Sequence, residues 1–223
     1  MPFKFVIFDF DGTLANSLGW LARVMPEAAA IFRFRKIGSE NHAYLRSLDA
    51  DELIDYLGIS AWKLPFLACY LRIRLKNEIQ DVTLYHGVEE MLNHISSIPV
   101  RFAVLSSNSK SNVQRVFGNH ISTFFDHYQC KASFLGKTNQ LKKLLDKSGF
   151  NPHETLLIGD EIRDLEAARM LGVSFGAVTW GFNDHTAFER YQPDFLFHDV
   201  SDITKLLISQ KPPISHNLPL SRN

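Results

Sequence analysis

Short, nearly uninterrupted apolar runs recur along this chain, separated by stretches with helical spacing of apolar residues. Runs of this length and composition predict strands of a parallel sheet that is buried on both faces. From Val88 onward the predicted strands alternate with helices, which predicts parallel βαβ units of the α/β class. The strands are predicted at residues 4–8, 100–105, 124–130, 155–158, 173–179 and 194–197.

The stretch between the first two predicted strands has no strand pattern of its own. Apolar residues at helical spacing predict helices over residues 17–33 and 61–77. Between them, Asp49 or Ser47 is predicted to cap a further helix, because acidic residues follow at once in its first turn. This stretch, residues 15–84, is therefore predicted to be an inserted helical subdomain.

These patterns predict a domain organisation in two parts. Residues 1–14 and 85–208 are predicted to form the core, and residues 15–84 the helical insert. The segment 209–223 has no apolar period and is predicted to be disordered, because it contains Pro212, Pro213 and Pro219.

Composition narrows the function classes. The chain has 223 residues, is 45% hydrophobic and carries no formal net charge, which is typical of a globular protein. It also has no long basic run or aromatic-basic stripe of the kind that binds nucleic acid. Cys69 and Cys130 are expected to be reduced thiols, since two distant cysteines do not make a disulfide framework. No run has the length of a membrane span and no leader pattern is present. We expect a cytoplasmic monomer or homodimer.

Candidate chemistry begins where the first predicted strand ends, in the pattern Asp-x-Asp-Gly-Thr at residues 9–13. Side chains alternate along a strand, so Asp9 and Asp11 can point to the same side. Two neighbouring carboxylates are costly to desolvate unless a cation or a proton lies between them. Gly12 permits a sharp turn and a close approach of backbone amides to an anion. This stretch predicts a site for a hard cation and a phosphate.

Three further polar clusters follow later strands or precede helices. Ser106, Ser107 and Asn108 come directly after an apolar strand, where a hydroxyl and backbone amides can hold a phosphate oxygen or simply cap a helix. Lys137 precedes a helix predicted over residues 139–148 and can supply positive charge between a carboxylate and a phosphate, although a solvated lysine is the alternative.

The last cluster adds two more acids. Asp160 follows the strand at 155–158, and Asp164 lies one helical turn further on, on the same helix face. Ligands of open parallel sheets bind at the carboxyl ends of the strands, so these acids are expected near Asp9 and Asp11. Together the four carboxylates predict a Mg²⁺ site; two acids that complement a helix dipole are the alternative for the last pair.

In order, these clusters resemble the four motifs of the haloacid dehalogenase superfamily: Asp-x-Asp, Ser or Thr, Lys, and Gly-Asp-x-x-x-Asp. The resemblance covers about residues 3–197 and is closest to phosphoglycolate phosphatase-like members at residues 178–182. It implies a Rossmann-like core with a helical cap inserted after the first motif. It also implies a Mg²⁺-dependent phosphatase that acts on a small phosphorylated metabolite.

The resemblance further implies individual roles. Asp9 would be the nucleophile that becomes an aspartyl phosphate, and Asp11 the acid and base. Ser106 and Lys137 would hold the transferring oxygens. The metal ligands would be Asp9, the backbone carbonyl of Asp11, and Asp160, with Asp164 supporting the water shell of the metal or Lys137. Substrate contacts are predicted at Gly12, Thr13, Ser107, Asn108 and Arg46.

Other readings remain open. Arg46 is a possible anion contact, with a solvated surface arginine as the alternative. A phosphomutase of the same superfamily is disfavoured because Leu21 stands where hexose-phosphate mutases carry a histidine. A dehalogenase is disfavoured because those relatives lack the second aspartate. A catalytically silent binding module on this fold is disfavoured because Asp9, Asp11 and Lys137 are all present.

Overall fold

A computed structural model describes residues 3–38, 41–130 and 136–209 of the chain. Of the segment predicted to be disordered, Ser209 closes the last helix, and residues 210–223 lie outside the described part. Among the described residues, no helix has both the length and the apolar character that crossing a lipid bilayer requires.

A parallel six-stranded sheet forms the centre of the described structure, in the order β3-β2-β1-β4-β5-β6. Phe8 on the central strand lies opposite Val104 on one side and Ile158 on the other, so neighbouring strands end at the same edge. The predicted α/β class and parallel sheet are confirmed. The strands are β1 Phe5–Asp9, β2 Arg101–Leu105, β3 His127–Gln129, β4 Thr155–Gly159, β5 Ser174–Val178 and β6 Phe195–Phe197.

Hydrophobic layers cover both faces of the sheet. Val6 and Phe8 belong to the layer on one face, and Phe5 and Ile7 to the layer on the other. Because side chains alternate along a strand, a strand covered on both sides must be apolar at every position. This explains the uninterrupted apolar run of β1.

Helices connect the strands and form the insert. The helices are α1 Leu18–Phe32, α2 His42–Arg46, α3 Ala50–Leu57, α4 Leu64–Asn77, α5 Val88–Ile95, α6 Lys110–Ser122, α7 Lys137–Ser148, α8 Ile162–Leu171, α9 His185–Tyr191 and α10 Val200–Ser209. Short 3₁₀ turns are Ala61–Lys63, Ile79–Asp81 and Pro152–Glu154.

The helical insert contains α1 to α4 and has a hydrophobic cluster of its own, which includes Ala28, Leu57 and Leu67. Asp49 caps α3 by accepting from the Glu52 amide, and Glu52 accepts in return from the Asp49 amide, a reciprocal pair that fixes the helix start. The independence of the insert as a subdomain stays a prediction.

Entry to and exit from the insert lie side by side. Ala15 and Leu84 form an isolated antiparallel bridge, and the Asn16 amide donates to the Thr83 carbonyl at 2.8 Å. The segments that lead into and out of the insert are therefore neighbours where they join the core.

Several predicted helix limits were wrong. The helix predicted over 61–77 begins as a 3₁₀ turn and is α-helical only from Leu64, and α7 begins at Lys137 rather than at 139, so that Lys137 is its first residue. Within α6, the helix is broken at Gly118, where φ is 67°. The apolar pattern did not single out α2 or α9, because helices of five and seven residues have too few turns to show a period.

Candidate active site

The predicted acids meet at the carboxyl edge of the two central strands. Asp9 is the last residue of β1, and Asp160 follows the last residue of β4. Asp164 lies in the first turn of α8, and Lys137 opens α7. The parallel register brings these elements to one edge, so residues that are far apart in sequence become neighbours.

Lys137 lies between two carboxylates. Its Nζ is 2.7 Å from Oδ2 of Asp9 and also contacts Oδ1 of Asp164. All three side chains are buried: the residues are 8%, 4% and 0% exposed for Lys137, Asp9 and Asp164. Burial by itself lowers the pKa of Lys137, but the charges of Asp164 and Asp9 outweigh it and the pKa is raised. Lys137 is therefore a permanently charged, fixed cation, and not the solvated lysine of the alternative reading.

Asp160 is fixed by hydrogen bonds from two other parts of the chain. The Thr13 hydroxyl donates to its Oδ1 at 2.8 Å, and the Phe182 amide donates to its Oδ2 at 2.7 Å. Burial and the negative charge of Asp9 raise the pKa of Asp160 well above its ordinary value. The Thr13 hydroxyl is thus directed to this carboxylate, and the predicted contact of Thr13 with substrate stays a prediction.

The residues present fit a magnesium ion. Asp9, Asp160 and Asp164 each offer a carboxylate oxygen, and these oxygens lie within 4.8 Å of one another. Oδ2 of Asp164 is buried and has no hydrogen-bond partner among the described residues. Burial is the largest cause that raises the pKa of Asp164 to about 7, against the opposing charge of Lys137. The three carboxylates carry more negative charge than the single lysine balances, and carboxylate oxygens are the hard ligands that Mg²⁺ prefers.

Asp11 lies beside this cluster, at the side of Ser106 and Asn108. Oγ of Ser106 is 3.4 Å from Oδ2 of Asp11, and Nδ2 of Asn108 is 3.5 Å from both carboxylate oxygens, so these contacts are long. Ser106 is held from the other side, because its Oγ accepts from the Asn108 amide at 2.9 Å. Burial and the charge of Asp9 raise the pKa of Asp11 to about 6, near the range in which a group can both give and take a proton.

Other predicted contact residues are placed in different ways. Ser107 is exposed at the end of β2. Gly12 adopts φ +81°, and a Cβ at this position would lie 2.0 Å from Oδ2 of Asp160. Glycine is thus required at Gly12 both by its left-handed conformation and by the close approach of a carboxylate.

Arg46 in the helical insert contacts the core through its guanidinium group. Its Nη2 donates to the Thr179 carbonyl at 2.7 Å and its Nε to the Phe182 carbonyl at 3.4 Å. The side chain is partly buried, so it is not the free surface arginine of the alternative reading. Its role toward an anionic substrate stays a prediction.

Sequence reasoning missed how closely residues 179–184 surround Asp160. A Cβ on Gly181 would lie 2.2 Å from the Asp160 Cβ, and the Trp180 indole donates to the Thr13 carbonyl at 3.1 Å. The Asn183 amide donates to the Asp160 carbonyl at 3.0 Å. The available signal was the Trp-Gly-Phe pattern after the fifth strand, which was read as a family resemblance without a contact.

Comparisons with known proteins agree with this geometry. The chain matches the family model of haloacid dehalogenase-like hydrolases over residues 6–178. A phosphoglycolate phosphatase from Synechococcus elongatus is 32% identical over 199 residues, covering 89% of this chain and 94% of that protein. The pyrophosphatase PpaX from Bacillus mycoides is 22% identical, covering 93% of this chain and 98% of its own.

A solved structure shares the fold. The haloacid dehalogenase-like hydrolase from Streptococcus pneumoniae superposes with a TM-score of 0.68 at 21% identity, covering 91% of this chain and 97% of that one. Because the family model spans most of the chain and a 32% identical relative is matched almost from end to end, we conclude that this chain is an enzyme of the haloacid dehalogenase-like hydrolase family.

Proposed function

We propose that this enzyme is a Mg²⁺-dependent phosphatase that hydrolyses small phosphate monoesters through an aspartyl phosphate on Asp9. The observation that carries the proposal is the buried arrangement in which Lys137 joins Asp9 to Asp164, with Asp160 and Asp11 beside them. The contact with a fixed cation holds the Asp9 carboxylate in one orientation, as a nucleophile requires.

The first half-reaction uses Asp9 and Asp11. A carboxylate oxygen of Asp9 attacks the phosphorus, and the bond from phosphorus to the leaving oxygen breaks. Asp11 gives its proton to that oxygen, for which a pKa of about 6 is well placed. In the second half-reaction, Asp11 takes a proton from the water that attacks the aspartyl phosphate, and Asp9 is released together with inorganic phosphate.

Lys137 and Ser106 are proposed to hold the oxygens of the transferring group. The Lys137 ammonium reaches Asp9 at 2.7 Å and so lies beside the attacked phosphorus. The Ser106 hydroxyl, which lies near Asp11, and the exposed Ser107 just after β2 are proposed as further donors. Fixed donors and cations of this kind stabilise charge on the transferring oxygens without reorganising.

Asp9, Asp160 and the backbone carbonyl of Asp11 are proposed to hold Mg²⁺, and Asp164 to orient its waters or Lys137. When bound, the ion neutralises phosphate charge and positions the ester. The carboxylate cluster supports this proposal, because charges so close together in a buried site repel strongly without a cation.

We propose a small, anionic phosphate ester of the phosphoglycolate type as substrate, which the 32% identity to a phosphoglycolate phosphatase supports. The helical insert is proposed to act as the cap that selects it. Arg46 gives Nε and Nη2 to the Phe182 and Thr179 carbonyls, so the remaining guanidinium donors are proposed to serve a substrate carboxylate. Leu21 packs against the main hydrophobic cluster, which supports a phosphatase over a mutase with a proton-transfer group there.

A panel of phosphate monoesters tests the proposal. Purified protein should release inorganic phosphate from phosphoglycolate with Mg²⁺ and release none in EDTA. Asp9→Asn should fold with the wild-type circular dichroism spectrum and lose essentially all turnover, because an amide is a poor nucleophile. An Asp9→Asn protein with wild-type turnover would exclude the aspartyl phosphate. Cytoplasmic location and a monomeric or homodimeric state stay predictions.

A further inference from the structure

One short stretch of the helical insert is hydrogen bonded to the segment that surrounds Asp160. The Arg46 guanidinium donates to the core, as described above. In return, the Asp184 amide donates to the Arg46 carbonyl at 3.1 Å. The insert and the 179–184 segment therefore bind each other through main-chain groups, whose positions depend on the backbone and not on a flexible side chain.

Asn183 lies at the centre of this contact and is 2% exposed. Its Nδ2 donates to the Leu48 carbonyl at 2.7 Å and to the Arg46 carbonyl at 3.1 Å. Its Oδ1 accepts from the Ile162 amide at 3.1 Å, in the first turn of α8. One amide side chain thus uses its donors toward the insert and its acceptor toward the helix that carries Asp164.

The main chain on either side of Asn183 holds Asp160 itself. The main-chain N–H of Asn183 donates to the Asp160 carbonyl at 3.0 Å, and the main-chain N–H of Phe182 donates to the Asp160 carboxylate at 2.7 Å. A displacement of this segment moves the carboxylate. Groups that orient metal ligands in this way affect metal affinity although they do not touch the ion.

We infer that Asn183 is a positioning residue that couples docking of the helical insert onto the core to Mg²⁺ binding at Asp160 and Asp164. The inference rests on the proposed function, since it presupposes the metal site. Asparagine is suited to this role because it offers two donors and an acceptor on one short, rigid side chain. Coupling between two sites is reciprocal, so Mg²⁺ must stabilise the docked insert as much as docking favours Mg²⁺.

The first test uses the wild-type protein with hydrogen exchange and Mg²⁺ alone. The Ser47 and Leu48 amides donate to the Tyr44 and Leu45 carbonyls within the insert, so they report the order of the docked stretch. Mg²⁺ should slow their exchange by roughly 5-fold or more, the lower end of typical coupling. The Gly149 amide at the far end of α7 is the internal reference and should not change.

The second test compares two variants by calorimetric Mg²⁺ titration. Asn183→Leu keeps size and charge but removes the donors and the acceptor, and its Kd for Mg²⁺ should rise by roughly 5-fold or more. Tyr191→Phe is the matched control, because its hydroxyl donates to Oδ2 of Asp49 at 3.1 Å and so joins insert and core away from the metal. Its Kd should equal the wild-type value.

The outcomes separate the inference from the function it rests on. Absence of Mg²⁺ binding to the wild-type protein would overturn the proposed metal site and the coupling together. Mg²⁺ binding that leaves exchange at Ser47 and Leu48 unchanged would overturn the coupling alone. Equal weakening of Mg²⁺ binding by Asn183→Leu and Tyr191→Phe would also overturn it, because general loosening of the insert would then suffice. If Asn183→Leu does not fold, the exchange experiment still decides whether docking and Mg²⁺ binding are coupled, and Asn183→Ala takes the place of Asn183→Leu in the titration.

Discussion

Alanine at Gly181 would place a methyl carbon 2.2 Å from Cβ of Asp160 and 2.5 Å from the Gly12 carbonyl oxygen. Carbon atoms in contact lie about 3.5–4.0 Å apart, so the new methyl carbon and the Asp160 Cβ must separate by about 1.3 Å or more. The other close atom is the Gly12 carbonyl oxygen, which belongs to the backbone, so we expect Asp160 and the backbone of residue 181 to move apart. Gly181→Ala should therefore displace a proposed metal ligand without touching the chemistry of any side chain.

The magnitude follows from this displacement. Overpacking in a buried site costs about 1–3 kcal/mol of stability. For a domain of this size, each kcal/mol lowers Tm by roughly 2–4 °C, so the protein should remain folded at room temperature. A misplacement of about 1 Å at a reacting group can cost about 100-fold in rate. We expect turnover to fall by about that factor and Mg²⁺ affinity to fall with it.

Three measurements on Gly181→Ala check the reasoning: Tm, the Kd for Mg²⁺ and phosphate release from a monoester. Gly19→Ala is the matched control, because a Cβ there meets no atom within 4 Å. Gly19 is the second residue of α1, so Gly19→Ala should leave turnover and Mg²⁺ affinity unchanged. Wild-type turnover and Mg²⁺ affinity in Gly181→Ala would refute the close packing around Asp160.

Further predictions concern the carboxylates. Asp160→Asn should lose the rise in Tm that Mg²⁺ gives the wild type. The variant can keep the hydrogen bonds to Thr13 and Phe182, because the Thr13 hydroxyl can accept from the new amide in place of donating. An unchanged response of Tm to Mg²⁺ in differential scanning calorimetry would count against the metal site. In EDTA, the free energy of unfolding of Asp160→Asn relative to the wild type should increase as pH rises from 5 to 8. Because the pKa of Asp160 is raised in the native state, the native wild type binds more protons than the unfolded chain at pH values above the ordinary pKa of 3.8, so its stability falls as pH rises. If the pKa of Asp160 were not raised, denaturant titrations would show a difference in unfolding free energy that does not change with pH. Asp11→Asn should turn over an alkyl ester such as phosphoglycolate far less well than p-nitrophenyl phosphate, whose leaving group needs little protonation. Equal loss with both esters, and no phosphoryl group on Asp9 by rapid-quench mass spectrometry, would show that Asp11 is not the acid and base.

Residues whose role depends on local pattern could be predicted from the sequence. The Asp-x-Asp-Gly-Thr pattern follows an apolar strand, and this combination predicts a cation and phosphate site from the sequence alone. Lys137 and Asp160 could be placed near Asp9 because parallel strands end at one edge of a sheet. Charged groups at such strand ends are few, so the candidate set was small.

Residues whose role depends on distant partners could not be predicted in this way. Asn183 follows no periodic pattern, and its partners Leu48 and Ile162 lie 135 and 21 residues before it in the sequence. Thr13 was assigned to substrate because no pattern shows that its hydroxyl reaches Asp160. Arg46 was left between an anion contact and a surface position, since a single arginine carries no signal for the carbonyl groups that it meets.

The bridge between Ala15 and Leu84 has an evolutionary consequence. The Tyr85 amide donates to the Leu14 carbonyl at 3.0 Å, so the chain leaves the core and returns to it at adjacent points. A segment with adjacent ends can be lengthened, shortened or exchanged at little entropic cost, because the closing distance does not depend on what lies between the ends. Lineages can thus have diversified the helices between residues 16 and 83 while the strand register that aligns the carboxylates stayed unchanged.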